Sequence, residues 1–313
     1  MLRATMKRRL GLVLRVLGTA AGLAYVATRV DLDQAGDALG RIPLVTFALA
    51  SALVAANVVV GAVRWRVLMR AYGATNIPAF RRLTYLYFVA FFYNNYLPGA
   101  VTGDVGRGVV TRDAFAAEGA TGALAVVLVE RALGLFGLFA LLAFGLAAAD
   151  GSIDTSELWL WTVLGTIGSI VLVAGIAAAR RIGPHLPAVL ARHAAKLPVI
   201  QDARAFSSAV VLSVVTQVLV AIAGWALLVA LAPIGLGASL LVVPLASAMT
   251  FLPITVGGAG AREAVYVALC GRLFGMPEAE ALAASLGLWL AHLAVGAAGG
   301  LAQLATRSRP APA

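Results

Sequence analysis

Charge is scarce in this chain: 12% of its 313 residues are charged, 61% are hydrophobic, and the mean hydropathy is +0.94. That balance excludes a soluble globular domain and implies a polytopic membrane protein. Cysteine is nearly absent, and the single Cys270 excludes an internal disulfide and any cysteine-based metal cluster. Three histidines, His185, His193 and His292, have no ligand spacing. Neither a metal nor a cofactor is expected. Acid is scarcer than base, 14 residues against 24, and the net charge of +10 would point to nucleic acid in a soluble chain. Here the arginines fall mostly in short connections between apolar runs, so they read as topology signals and as attraction for anionic lipid. No nucleic-acid partner is expected. Apart from the basic connection 180–206, no segment is long and polar enough for a separate soluble domain, so the helices must supply the chemistry.

What the chain does contain is one interrupted stretch written twice. Asn94-Asn95-Tyr96-Leu97-Pro98-Gly99-Ala100-Val101-Thr102-Gly103-Asp104-Val105-Gly106-Arg107 returns as Leu252-Pro253-Ile254-Thr255-Val256-Gly257-Gly258-Ala259-Gly260-Ala261-Arg262. Aligned without gaps, the two share Leu97/Leu252, Pro98/Pro253, Val101/Val256, Gly103/Gly258 and Arg107/Arg262. Each is an apolar run broken by proline and glycine, then an arginine. In membrane proteins, interrupted hydrophobic segments at matching places in two halves point to a binding site.

Charge placement sets the topology. Arg3, Lys7, Arg8 and Arg9 precede an apolar run from Leu10 to Thr28. The run is long for a signal-peptide core and is interrupted by Arg15, which favours a retained first helix with its cytoplasmic end first. After an acidic outer connection, Pro43–Val63 spans inward to Arg64-Trp65-Arg66, Arg70, Arg81 and Arg82, a basic segment that belongs in the cytoplasm. The apolar run Leu83–Leu97 is short for a span. If it crossed, the acidic loop 149–157 would be cytoplasmic and the basic segment 180–206 would lie outside. A hairpin that dips in and returns puts every later loop on its expected side. Gly119–Ala149 then crosses outward, Leu158–Ala179 inward and Phe206–Leu231 outward. A second hairpin opens from outside, and Ala281–Ala305 crosses inward to Arg307 and Arg309. Arg272 alone fits poorly.

The expected fold is therefore an all-α polytopic membrane protein, about six full transmembrane helices plus two re-entrant helical hairpins in an inverted-repeat arrangement. It forms a single transmembrane domain over 1–313 in the cytoplasmic membrane with both termini inside. Within it lie a first helix and outer loop (1–42), repeat one (43–149, hairpin 83–112), a linking span and basic connector (150–205), inverted repeat two (206–305, hairpin 240–274) and a tail (306–313).

Broken backbone at membrane depth must line protein or a water-filled cavity, because lipid cannot satisfy free N–H and C=O groups. Thr102, Gly103, Gly257 and Gly258 are therefore expected at a cavity, where restarting helices offer free N–H groups and positive dipole ends. Arg107 and Arg262, each about a turn into its restart, complete an anion site suited to phosphate. The blander reading is that they snorkel or pair structurally. Asp104 reads first as a helix cap, with a coupling role as the sharper idea. Asn94 and Asn95 satisfy broken backbone or touch a head group. Glu130 and Arg131 lie near the bilayer middle, where each needs a partner or water. Adjacent helical residues point about 100° apart, so these two cannot simply neutralise each other. A network of Asp104, Arg107, Glu130, Arg131, Arg262 and Glu263 is expected, either a switchable cavity or a static ionic knot. Arg64, Arg66, Arg81 and Arg82 read as topology determinants that together gather anionic lipid at the cytoplasmic mouth. Trp65 and Tyr85 read as interfacial aromatics.

The ordered set Arg64-Trp65-Arg66, Asn95-Tyr96-Leu97-Pro98-Gly99 with Gly103-Asp104 and Arg107, Glu130-Arg131-Ala132-Leu133-Gly134-Leu135, and Pro253 with Gly257-Gly258-Ala259-Gly260-Ala261-Arg262-Glu263-Ala264 resembles the lysylphosphatidylglycerol synthase transmembrane-region family, also called flippase-like membrane proteins. Where many relatives have Gly-Gly-Asp, this chain has Thr102-Gly103-Asp104. In the best-known members, a domain of this kind is joined to an aminoacyl-transferase domain and moves aminoacylated phosphatidylglycerol between leaflets. This chain ends at Ala313 without room for that domain, so the resemblance implies flippase-type transport of a lipid with an anionic head group rather than lipid aminoacylation. A separate lipid-synthesising enzyme is a possible partner. Two other readings stay open: an intramembrane enzyme acting on a lipid-linked phosphate, with Asp104 or Glu130 as acid or base, and a non-transporting partner that anchors a synthase.

Overall fold

The structure is a computed structural model that describes residues 2–97, 101–115, 118–149, 155–185, 187, 191, 194–195, 197–251, 255 and 258–307, with the side chains of 2–15, 184 and 307 outside that description. The described residues form eleven α-helices and no strand. In chain order these are α1 (Leu2–Arg29), α2 (Leu32–Gly40), α3 (Leu44–Ala71), α4 (Phe80–Tyr96), α5 (Thr102–Val110), α6 (Gly119–Ala148), α7 (Ser156–Ile182), α8 (Ala203–Val229), α9 (Leu236–Phe251), α10 (Ala261–Phe274) and α11 (Glu278–Arg307).

Five of them, α3, α6, α7, α8 and α11, are long and apolar enough to cross a membrane. Sequence leads to about six; the remaining run, Leu10–Thr28, is helical within α1, whose side chains through residue 15 are outside the described residues. The segment 29–42, expected as a plain connection, contains α2. Asp31 caps it, accepting from the N–H groups of Asp33 and Gln34, so a run with little apolar content still folds as a helix. Asp202 caps α8 in the same way.

Backbone closeness explains how the short helices sit. α4 runs antiparallel along α11: Tyr85 Oη meets Thr306 Oγ1 at 2.9 Å, and Tyr96 Oη donates to the Leu293 carbonyl at 3.0 Å. Between these points Gly299 lies so close to the Phe88 carbonyl that a Cβ would overlap it. α4 thus enters beside the C-terminal end of α11 and stops beside its middle. α5 then folds back on α4, and Gly103 rests against the Ala90 carbonyl with no room for a side chain. Beyond α5, the Ala114 carbonyl accepts from Thr75 N–H at 3.0 Å. Both feet of the α4–α5 hairpin therefore lie at the C-terminal end of α3.

The α9–α10 pair has its feet at the other end of α6. Leu240 packs on Gly145, and a cavity of about 260 Å³ there is lined by Ala148, Gly237 and Phe274 among others. Arg272 Nη1 reaches Glu157 Oε2 at 3.0 Å, tying the end of α10 to the start of α7. Arg272, the base that fitted no topology, is thus paired with an acid from the acidic loop.

Among the described residues the core has four apolar clusters, two of them large. One joins α3, α8, α9, α10 and α11 through Val54, Leu227, Val242, Tyr266 and Leu288. The other joins the C-terminal half of α3 to the starts of α4, α6 and α8 through Trp65, Leu68, Leu83, Val126 and Ala209. The buried Arg64 lies on α3 between Val58 of the first cluster and Trp65 of the second. α7 packs on α6 and turns Trp161, Leu164, Ile167 and Val171 outward, as expected where lipid is the solvent.

Candidate functional site

The site begins with α5, a helix that is amphipathic in reverse. Gly103, Asp104, Arg107 and Gly108 are buried, while Val101, Val105, Val109 and Val110 are exposed. A charged face turned inward and a valine face turned out suit a lining element in an apolar solvent. The first turn of α5 needs a partner for its free N–H groups, and Asn94 at the end of α4 supplies it, accepting from Gly103 N–H at 2.9 Å. Asn95 donates to the Phe91 carbonyl at 2.8 Å. Both asparagines thus hold backbone near the break. Thr102 lies on the exposed side of α5.

Glu130, on α6 and 1% exposed, is the hub. Its Oε1 accepts from Tyr87 Oη at 2.8 Å and from Arg64 Nη2 at 3.1 Å. Its Oε2 lies 2.7 Å from Arg107 Nη2, a charge contact set off the hydrogen-bond line. Arg107 continues to Asp104, Nε to Oδ1 at 2.9 Å, and Arg131 Nη1 meets Asp104 Oδ2 at 2.5 Å. The guanidinium of Arg107 packs against the rings of Trp65 and Tyr87, 4.6 and 4.5 Å from their centroids. Arg64 Nη1 reaches Ser213 Oγ and Thr216 Oγ1 on α8 at 3.3 and 3.2 Å. Glu130 and Arg131, adjacent in sequence, have separate partners, as their angular separation requires.

A cavity of about 200 Å³ opens on this cluster. Six helices line it with Asn57 (α3), Asn94 (α4), Asp104 (α5), Arg131 (α6), Gln217 (α8) and Phe251 (α9). Phe251 closes one side, its ring 5.1 Å from the Arg131 guanidinium. The end of α9, just before the second break, therefore faces the first turn of α5, just after the first break.

The structure changes three expectations. Arg64 is not at a cytoplasmic mouth but 7% exposed, because α3 does not end with its apolar run at Val63 and continues helically to Ala71. Trp65, expected at the interface, is 1% exposed and packs on Arg107. The six-residue network divides in two. Arg262 pairs with its neighbour Glu263, its Nε donating to Oε1 at 2.9 Å, while Glu263 Oε2 takes the Gly260 N–H at 2.7 Å. Neither residue reaches Glu130. Adjacent residues meet here because the acid turns back to the helix start as in a capping box and the long arginine follows it. The Arg262 guanidinium lies 5.9 Å from the Trp289 ring on α11. Arg66 is half-buried and outside the cluster, whereas Arg81 and Arg82 are exposed. Gly258 takes φ +83°, a conformation that favours glycine, and Gly257 lies outside the described residues.

Sequence reasoning missed Asn57, Tyr87, Ser213, Thr216 and Gln217. The available signal was polarity inside apolar runs: such side chains seek the bundle interior or a water-filled cavity.

A sequence model of the family described as lysylphosphatidylglycerol synthase TM region matches residues 12–300. A search of curated proteins finds no match to the chain.

Proposed function

The chain belongs to the lysylphosphatidylglycerol synthase TM region family, and from that premise we propose that it is a lipid flippase or transporter. It moves a lipid with a phosphate-bearing head group between the leaflets of the cytoplasmic membrane. The observation that carries this reading is the polar cavity enclosed by membrane helices and floored by the Glu130 cluster. A chamber of this kind holds a charged head group away from hydrocarbon while the acyl chains stay in lipid. The head group takes donors from Arg131, Asn57, Asn94 and Gln217 at the cavity wall.

Alternating exposure comes from two re-entrant hairpins in an inverted repeat, α4–α5 and α9–α10. Support comes from matched element lengths, 28, 17, 9 and 30 residues in α3–α6 against 27, 16, 14 and 30 in α8–α11. It also comes from hairpin feet at opposite ends of α6. Rocking of one half on the other would open the cavity to each leaflet in turn. Both termini lie in the cytoplasm, and a separate lipid-synthesising enzyme delivers the cargo.

Reconstituted liposomes with a fluorescent phospholipid and a membrane-impermeant quencher test this. Transfer of unchanged lipid between leaflets supports transport. Chemical conversion of the lipid without transfer would make the protein an enzyme, and neither would leave an anchoring role.

A further inference from the structure

We propose that the cavity selects a head group with one net negative charge, a phosphodiester, and rejects a cationic, aminoacylated one; this rests on the transport reading above. The cluster that floors the cavity joins three guanidiniums, Arg64, Arg107 and Arg131, to two carboxylates, Asp104 and Glu130. One positive charge is left over. At membrane depth an unbalanced buried charge is costly and calls for a counter-ion. The ion pair in the first turn of α10, Arg262 with Glu263, is internally neutral and contributes no acid.

Unused hydrogen-bond donors agree with the charge count. Arg64 and Arg107 line the cavity at 7% and 3% exposure, yet Arg64 Nε and Arg107 Nη1 are buried without a hydrogen-bond partner. Both carboxylates are already occupied. Asp104 faces Arg107 and Arg131, and Glu130 faces Arg64, Arg107 and Tyr87. Among the described residues, the remaining polar side chains of the wall are the uncharged Asn57, Asn94, Thr216 and Gln217. An incoming ammonium would therefore meet guanidiniums and amides and find no free acid. A phosphomonoester overshoots in the other direction, since it carries a charge of roughly −1.5 to −2 at neutral pH. A diester matches the surplus. The cavity volume of about 200 Å³, some six or seven times the liquid volume of a water molecule, accommodates a phosphate and a small polyol.

The purified full chain is tested by competition against a fluorescent phosphatidylglycerol. The competitors are dioctanoyl phosphatidylglycerol, its lysyl ester and tail-less glycerophosphoglycerol. The lysyl ester should compete at least ~10-fold more weakly than the parent lipid, the discrimination expected when like charges are brought together. Equal competition by the lysyl ester overturns the charge rule and leaves the transport reading standing. If glycerophosphoglycerol competes as well as the lipid, the charge rule stands and the ligand is a free diester, so the transport reading falls. If the fluorescent lipid does not bind at all, both fall. Arg131→Gln, which brings the cluster to neutrality, should lower phosphatidylglycerol affinity by about tenfold and narrow the discrimination. Unchanged discrimination in a folded Arg131→Gln protein would also overturn the proposal, and the wild-type comparison stands if that variant does not fold.

Discussion

Removing Glu130 strands Arg64 and leaves Arg107 with Asp104 alone, because its two oxygens face Arg64 and Arg107. Taking one partner from a buried ion pair typically costs about 3–5 kcal/mol, since the other charge stays buried without compensation. Glu130→Gln should therefore lower the thermal unfolding temperature of the purified protein sharply. Glu280→Gln is the matched control. Its partner Arg41 is 60% exposed, and an exposed pair is worth about 0–1 kcal/mol. Equal melting temperatures for the two variants would show that the hub carries no structural weight. Glu130 was legible in the sequence as a charge too deep to stand alone, and so was its need for a partner. The identity of the partners was not. Hydropathy marks where an apolar run stops, at Val63, whereas hydrogen bonding carries α3 on to Ala71. Arg64 is thereby drawn into the bundle, and Tyr87 and Trp65 with it. Side-chain reach and helix rotation decide such contacts, and neither is written in a run of letters.

The short helix α5 shows the same division one level up. Proline and glycine forecast the interruption, and the structure adds how tightly it is packed. Gly103 and Gly106 are three positions apart on one helix with opposite surroundings. A Cβ on Gly103 would overlap the Ala90 carbonyl, and one on Gly106 would meet nothing within 4 Å. Gly103→Ala should push α5 off α4, break the Asn94 contact and destabilise by about 1–3 kcal/mol, the usual range for overpacking. Gly106→Ala should be neutral or stabilise by up to about 1 kcal/mol through helix propensity. Guanidinium or heat titrations of the two variants read the difference, and loss of stability in both would mean that α5 does not pack as described. Gly299 makes the matching approach between α11 and α4, where a Cβ would strike the Phe88 carbonyl. α2 was missed for the opposite reason: nine residues with little apolar content give no hydropathy signal, and the Asp31 cap that starts the helix is a local feature.

For the whole molecule the decisive arrangement is which ends of which helices share a side, and charge placement led to an expectation for it. The prediction that a hairpin dips and returns came from the side on which later loops must fall. In the structure the Thr75–Ala114 bond brings its feet together, and the Arg272–Glu157 pair holds the second hairpin at the far end of α6. The membrane itself supplies the test. Cys270 is buried and is the sole cysteine, so Cys270→Ala provides a background for single reporters. Arg82→Cys and Arg112→Cys mark the exposed feet of the α4–α5 hairpin, and Gly237→Cys and Pro277→Cys mark those of the α9–α10 hairpin. With an impermeant maleimide on sealed vesicles of known orientation, the first two should label only from the cytoplasmic face and the last two only from the outer face. Labelling of residues 82 and 112 from opposite faces would mean that the α4–α5 segment crosses the bilayer. The two breaks would then belong to ordinary spans, and the cavity would lose the paired hairpins through which it is proposed to open to each leaflet.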